Sequence, residues 1–435
     1  MNYCIKNTTE QLENIGGLVL AGEIFKRIGL NMAPTIEIKH PEVLRAMLGL
    51  LVQGRTSYEE IDIYRHSNLF RTTLDLKFVP AKETLRLYLK DISKSETIEP
   101  TLNAINLNML NKCSFTSVVA PRGSYIPVDI DVSPLDNSRT QKENVSWTYK
   151  GHDGFAPIFA YIGAEGYMLD NELRPGKQHC QKNTPEFLQK VIDNVDCLQS
   201  KVPYLFRLDG GNDSFDTLEV LNKSGHFFLV KRNLRKESRE QWLDIGMTLG
   251  SHEMPRKGKD IYTGILTKKY PKCDKMDLDV VFKVTRRTID TYGNGLLLPE
   301  IEVETYWTNL YEDARDVINL YHDHGTSEQF HSELKTDMDV ERLPSRDFKV
   351  NKLILQLSMI AFNTLRFIGQ TALKSRVLLP FKTNVKRKRL RKVISDLIYI
   401  ACKYVNRSRQ HFIHIWEKNP WGAVFKEVYK ECRAL

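Results

Sequence analysis

The sequence predicts an α/β fold in which a strand-built centre lies between two helical ends, and three observations carry that expectation. Between residues 10 and about 115, apolar side chains recur three or four apart, as they do on helices that bury one face. From residue 119, short apolar runs bounded by Gly, Pro, Asn and Asp read as strands. From residue 313 helical spacing returns and lasts into a basic carboxy-terminal stretch.

Taken in order, residues 17–27 and 41–52 are the clearest early helices, separated by Asn- and Thr-rich breaks. Pro80 opens another helix with Arg86 and Lys90 on one side, a layout that a helix-turn-helix permits and a solvated helix face explains more simply. Strands are expected at 125–131, 154–162 and 166–173, then a helix at 185–195 and a strand at 202–209 closed by Gly210 and Gly211. A helix at 214–222 and a strand at 226–231 follow. The order β-β-β-α-β-α-β, with Asp131 on the first strand and Asp209 at the end of the fourth, is the layout of a ribonuclease H-like fold. Carboxyl ends of neighbouring strands are where open sheets place their chemistry.

Residues 236–305, with Trp242 and strand-like runs near 279–284 and 301–307, read as an inserted β-rich module. Helices are expected at 313–321 and, past a break at Gly325, at 327–338, where Thr326 and Gln329 fit a capping box. An apolar helical run from 393 to 405 continues into Arg407 and Arg409. The expected organisation is a helical domain at 1–118, a core in two parts at 119–235 and 306–375 around the 236–305 insertion, and a basic helical region at 376–435.

Composition limits the function. The chain has 435 residues and a formal charge of +9, which suits a polyanionic partner. Lys386, Arg387, Lys388, Arg389 and Arg391 concentrate that charge in a segment that begins at Lys382. Seven scattered cysteines, none in Cys-x-x-Cys spacing, argue against a disulfide framework or a zinc ribbon. With no secretory signal and no apolar run near the roughly 20 residues of a membrane span, a cytoplasmic location is expected.

Three acids, Asp131, Asp209 and Glu328, suit a specific chemistry. Cleaving a phosphodiester requires neutralised phosphate charge and an activated oxygen nucleophile. Divalent magnesium held by carboxylates supplies both. Asp129 competes with Asp131, because strand alternation puts both on one face. On a helix, Glu328 and Lys335 share a face with Tyr321 and His324 before them, and together these could hold a DNA strand near metals. The same helix also offers His322, His324, Glu328 and His331 as a zinc-hydrolase cluster. His152 with Asp153 reads as a turn, and Cys180 beside His179 as structural or inert.

The string Tyr321-His-Asp-His324-Gly-Thr-Ser-Glu328 with Lys335 resembles the Tyr-x2-Arg-x3-Glu-x6-Lys signature of bacterial insertion-sequence DDE transposases, the transposase DDE domain group 1. Val128-Asp-Ile-Asp131-Val-Ser133 is similar to that family's first-aspartate segment, and Phe206-Arg-Leu-Asp209-Gly-Gly to its second. The resemblance favours Asp131 over Asp129. It implies a DNA transposase in the bacterial cytoplasm, bound to terminal inverted repeats and target DNA and active as a homodimer. It further implies catalysis with Mg²⁺, for which Mn²⁺ would substitute, on Asp131, Asp209 and Glu328. Tyr321, His324, Lys335 and the basic residues at 386–391 would contact DNA, and Trp307, more than Trp147, would stack on a base. Two departures stand out: His324 replaces the family's arginine, and Gly210 its usual serine. A DNA-binding protein that keeps the fold without transposition is the remaining alternative.

Overall fold

The computed structural model describes residues 3–30, 40–270, 277–290, 292–381 and 385–435. Lys382 and Cys273 lie outside the described residues. At the amino-terminal end, helices α1 (Leu18–Arg27), α2 (Pro41–Leu51), α3 (Asn68–Thr73), α4 (Lys82–Ile92) and α5 (Ile98–Leu110) follow a two-residue strand β1 (Leu12–Glu13). Their starts are sequence-encoded: Pro41 occupies the first turn of α2, and the Ser67 hydroxyl accepts the Phe70 amide at 3.0 Å to cap α3. Their apolar stripes join one core with the helix Phe348–Leu373.

The centre is a mixed sheet. After β2 (Val118–Ala120) come β3 (Gly123–Val132) and a small side sheet of β4 (Leu135–Asp136), β5 (Ser146–Trp147) and β6 (Asp153–Phe155). Then follow β7 (Ile158–Ile162), β8 (Tyr167–Glu172), α6 (Thr184–Asp196), β9 (Tyr204–Leu208), α7 (Phe215–Ser224) and β10 (Phe227–Arg232). Strands β3, β7 and β8 form an antiparallel meander, while β9 pairs parallel with β3 and β10 parallel with β9. Every residue of β7 and β9 is buried, as in strands covered on both faces.

Alternation decides which cover each side chain meets. Ile126, Val128 and Ile130 of β3 point toward Phe187 and Val191 of α6 and Leu218 of α7. Tyr125 of β3 and Leu205 of β9 lie on the opposite face with Val317, Ile318 and Leu320 of a later helix. The odd-numbered positions of both strands, Asp129, Asp131 and Arg207 among them, share that second face.

Residues 236–305 do not form a separate sheet. After α8 (Arg239–Leu249), strands β11 (Ser251–Arg256), β12 (Lys259–Lys269), β13 (Asp277–Ile289) and β14 (Gly295–Thr308) run antiparallel, and β14 pairs with β10, so the module extends the central sheet. Trp307, the expected base-stacking residue, is 0% exposed because it lies at the inner end of β14, where its indole Nε1 donates to Asp213 at 3.1 Å. It cannot stack on DNA from there.

Next come α9 (Ala314–His322), a 3₁₀ turn Asp323–Thr326, α10 (Ser327–Ser332) and a π turn Glu333–Asp337. Gly325 tightens the helix instead of ending it. The Thr326 hydroxyl bonds back to the Asp323 carbonyl at 2.8 Å, so no capping box forms. The π turn widens the helical closure to i→i+5, which removes the simple seven-residue relation between Glu328 and Lys335. Gly166 (φ +70°) permits the close approach of α10: a Cβ there would sit 2.2 Å from the Phe330 ring.

Helix α11 (Phe348–Leu373) leads to α12 (Leu390–Val393), a π turn Ile394–Ile398, β15 (Cys402–Arg407), β16 (Gln410–Ile415) and α13 (Gly422–Ala434). The helix expected through residue 405 therefore stops at Ile398. From Cys402 the spacing of buried residues changes to alternation, and β1, β15 and β16 form a separate three-stranded sheet.

Candidate active site

The parallel register pairs Ile130 with Leu208, so the next residues, Asp131 on β3 and Asp209 just past β9, stand side by side at the carboxyl ends of neighbouring strands. Each acid is held in place. The Asp131 Oδ1 accepts the Val132 amide at 2.8 Å, and its Oδ2 lies 3.2 Å from His331 Nε2. His331 Nδ1 is 3.3 Å from the hydroxyl of buried Tyr161. With the proton on Nε2, the chain runs from Tyr161 to His331 to Asp131, each donating to the next. Asp209 Oδ1 accepts from Asn212 Nδ2 at 2.6 Å.

The two carboxyls shift in opposite directions. Burial works to raise the Asp131 carboxyl, but the hydrogen bond from His331, helped by the Val132 amide, outweighs it and holds it below its ordinary value. Burial, and then the charge of Asp131, push Asp209 up. Tyr149, whose hydroxyl donates to the Val132 carbonyl at 2.8 Å, and Tyr321 both feel the pair: burial first, then these aspartates, raise their phenols.

Asp129, two residues earlier on the same face, is satisfied from all sides. Arg207 on β9 grips both its oxygens, Nε to Oδ1 at 2.6 Å and Nη2 to Oδ2 at 2.8 Å, and its Nη1 donates to the Leu320 carbonyl of α9 at 2.7 Å. His324 Nδ1 adds a contact to Asp129 Oδ1 at 2.9 Å. Burial would raise this carboxyl, yet Arg207 and His324 hold it below its ordinary value. His324, expected on DNA, is instead buried inside this network.

The other expected residues divide. Glu328 is exposed on α10, and among the described residues no three His, Cys, Asp or Glu side chains gather closely enough to hold an ion. The zinc reading fails on the same ground: His322, His324 and His331 face three separate carboxylates, Glu304, Asp129 and Asp131. Lys335 Nζ donates to the Pro134 carbonyl at 2.6 Å, and burial lowers its pKa against the pull of Glu341 and Asp131.

Most of the basic run is engaged within the chain. Arg387 pairs with Glu333 at 2.9 Å, Lys388 with Asp396 at 2.9 Å and Arg389 with Asp337 at 2.8 Å, which leaves Lys386 and Arg391 as the exposed cations without such pairing among the described residues.

Sequence reasoning missed His331 as the partner of Asp131, although its seven-residue spacing from His324 was a signal, and missed Asn212, three residues after Asp209. Cys180 also approaches the site, with Sγ donating to the Gly211 carbonyl at 3.0 Å. Trp147, 66% exposed on β5, stands two residues from Tyr149.

The family described as transposase DDE domain group 1 matches residues 31–435. The chain belongs to that family of DDE transposases. No curated protein is similar enough to count as a relative. Among solved structures, a piggyBac transposase synaptic complex with hairpin DNA is similar over 89% of this chain and 78% of its own, at 10% identity and a TM-score of 0.43.

DDE transposases use divalent metal ions, and the chemistry of the Asp131 and Asp209 carboxylates suits such ions. Two adjacent carboxylates offer the hard oxygen ligands that divalent ions such as these take, with water able to supply the rest of the shell. No helix among the described residues is long and apolar enough to cross a membrane.

Proposed function

We propose that this transposase cleaves DNA at the terminal inverted repeats of its own insertion sequence and transfers the strands to target DNA in a cut-and-paste reaction. The observation that carries this reading is the side-by-side placement of Asp131 and Asp209 at two parallel strand ends. The strand order β8-β7-β3-β9-β10, with three strands antiparallel and two parallel, supports a ribonuclease H-like core with α8 and β11–β14 inserted.

Asp131 is the first metal ligand in this reading, because both Asp129 oxygens are spent on Arg207. Glu328 is the third. It lies exposed on α10, three residues before His331, which reaches Asp131. Asp131, Asp209 and Glu328 would hold Mg²⁺, or Mn²⁺ in its place; bound divalent ions neutralise the scissile phosphate and activate the attacking water or 3′-hydroxyl.

The chain's own groups prepare the site. His331 and Asn212 fix the two aspartates, and the covering helices exclude water from their inner side. Lys335 and Tyr321 line the approach of the phosphate backbone, and Lys386 and Arg391 extend the cationic surface. The helices of residues 1–118 would bind the element ends, and a homodimer would join two ends in the bacterial cytoplasm.

The test is Mg²⁺-dependent cutting of a duplex that carries the element's end. Glu328→Gln should abolish cutting and spare end binding; undiminished cutting refutes its assigned role. One observation favours a second reading, a DNA binder without transposition: Glu328 does not join the aspartate pair. Wild-type protein that binds ends and never cuts them in Mg²⁺ or Mn²⁺ would establish it.

A further inference from the structure

The hairpin β15–β16 carries a feature that the proposed chemistry does not use. Its register pairs Cys402 with Ile415, Lys403 with His414, Tyr404 with Ile413, Val405 with Phe412 and Arg407 with Gln410. Alternation therefore sorts the ribbon into two faces. Cys402, Tyr404, Ile413 and Ile415 turn inward onto the helical core. His411 belongs to that inner set too, with Nδ1 2.7 Å from the Tyr404 hydroxyl and its ring stacked on Tyr404 at 17°.

The outer face presents Lys403, Arg407, Phe412, His414 and, just past the strand, Trp416. Phe412 is 41% and Trp416 69% exposed. Ser408 (φ +50°) and Arg409 (φ +61°) form the tip, a two-residue turn with both residues left-handed, the geometry that Asn-Gly takes with least strain. An arginine is thus held at the apex in a conformation an unselective turn would give to glycine.

Charge favours one class of partner. Across residues 402–418 four Lys and Arg and two His stand against a single acid in the segment, Glu417; Lys403 pairs with Glu10 at 2.5 Å, so the charge available to a partner sits on Arg407 and Arg409 at the tip. A solvated edge strand needs charge but not two exposed aromatic rings. An acidic protein surface would also accept cations among aromatic rings, but the two cations stand at the tip of a narrow ribbon, a shape that enters a groove. Cations interleaved with aromatic rings on a two-stranded ribbon suit duplex DNA, whose major groove admits such a ribbon while Arg and Lys take the flanking phosphates.

We infer that the outer face of β15–β16 is a second duplex-DNA contact surface, with Arg407 and Arg409 on phosphates and Phe412 and Trp416 against the groove. The inference rests on the DNA-transposase reading and adds a site to it. It also accounts for how a chain whose most basic run is largely paired internally could still grip DNA.

The test uses the full chain and a random-sequence duplex, with anisotropy measured at several salt concentrations. Arg407→Glu with Arg409→Glu should weaken binding and lower the slope of log affinity against log salt by about 1.8, two phosphate contacts' worth. Ser408→Asn with Arg409→Gly guards against misfolding, because it relaxes the turn. Its melting temperature should hold or rise while the slope falls by about 0.9. Trp416→Phe should remove a fluorescence change on duplex addition.

Unchanged slopes in both double variants overturn the inference, as does tighter binding of single-stranded DNA with no response to these variants. Loss of cutting in Asp209→Asn with wild-type DNA affinity would leave the transposase reading intact whichever way the hairpin result falls.

Discussion

Asp129 and Asp131 lie two residues apart on one face of one strand, yet their surroundings make different things of the same side chain. At the inner level Arg207 and His324 saturate Asp129, and its side chain is 3% exposed. At the mouth, Asp131 has one imidazole, a side chain 23% exposed and another carboxylate beside it. Complete pairing turns buried charge into structure; incomplete pairing leaves charge available for a ligand. The inner level is the brace, and the mouth the site it holds open.

Substitution should separate the two levels sharply. Asp131→Asn should lose metal-dependent cutting altogether and remain folded. Asp129→Asn leaves Arg207 buried without its partner, which should cost about 3–5 kcal/mol in a denaturant titration. The sign with pH follows from the direction of the shift. The Asp129 carboxyl is lowered on folding, so its contribution is fully present above the unfolded value of about 3.9 and is lost as pH falls through the lower folded value. The gap between wild type and Asp129→Asn should thus be constant from pH 7 to 5 and close below pH 4. A gap that persisted there would break the comparison.

His331 sharpens it from the other side, because it serves the mouth while packed against Phe159 and Tyr161 at ring distances of 5.3 Å. His331→Gln should keep most of the packing and lose the aimed hydrogen bond, lowering metal-dependent cutting by about 10- to 100-fold. A cutting rate within twofold of wild type would remove His331 from the site. A smaller effect, of opposite sign in stability, is expected at Asp209. Its carboxyl is raised on folding, so its ionised form opposes the metal-free fold at neutral pH and the opposition fades as pH falls. Asp209→Asn should raise the metal-free melting temperature at pH 7 while cutting disappears, a gain in stability for a loss of function.

What the sequence made legible follows from the range of the interactions. Strands β3, β7, β8, β9 and β10 announce themselves by apolar runs and turn residues, and the two aspartates by their places at strand ends. The division of labour between Asp129 and Asp131 does not, because it depends on Arg207 arriving from a strand 78 residues away in register. Trp307 misleads for the same reason: alternation in β14 cannot reveal that its inner end lies between β10 and β13. In the 393–405 segment the apolar spacing suits a helix until the π turn at Ile394–Ile398, and only pairing with β1 and β16 makes Cys402–Arg407 a strand.

The basic run extends the same distinction to the surface and carries the smallest expected effect. Arg389 meets Asp337 at 2.8 Å with its own side chain 53% exposed, while the Asp337 carboxylate is buried and also accepts the Arg391 amide at 3.1 Å. Arg389→Ala should therefore destabilise less in a denaturant titration than breaking the Asp129–Arg207 pair, in which both partners are buried, because Asp337 keeps the Arg391 amide when the guanidinium is lost. Because its charge is already directed at a carboxylate, duplex affinity should change little, whereas Arg391→Ala, with no such engagement among the described residues, should lower the salt slope by about 0.9. Equal losses at the two positions would mean that DNA draws Arg389 away from Asp337, and that the pairing seen here is a resting arrangement instead of a structural one.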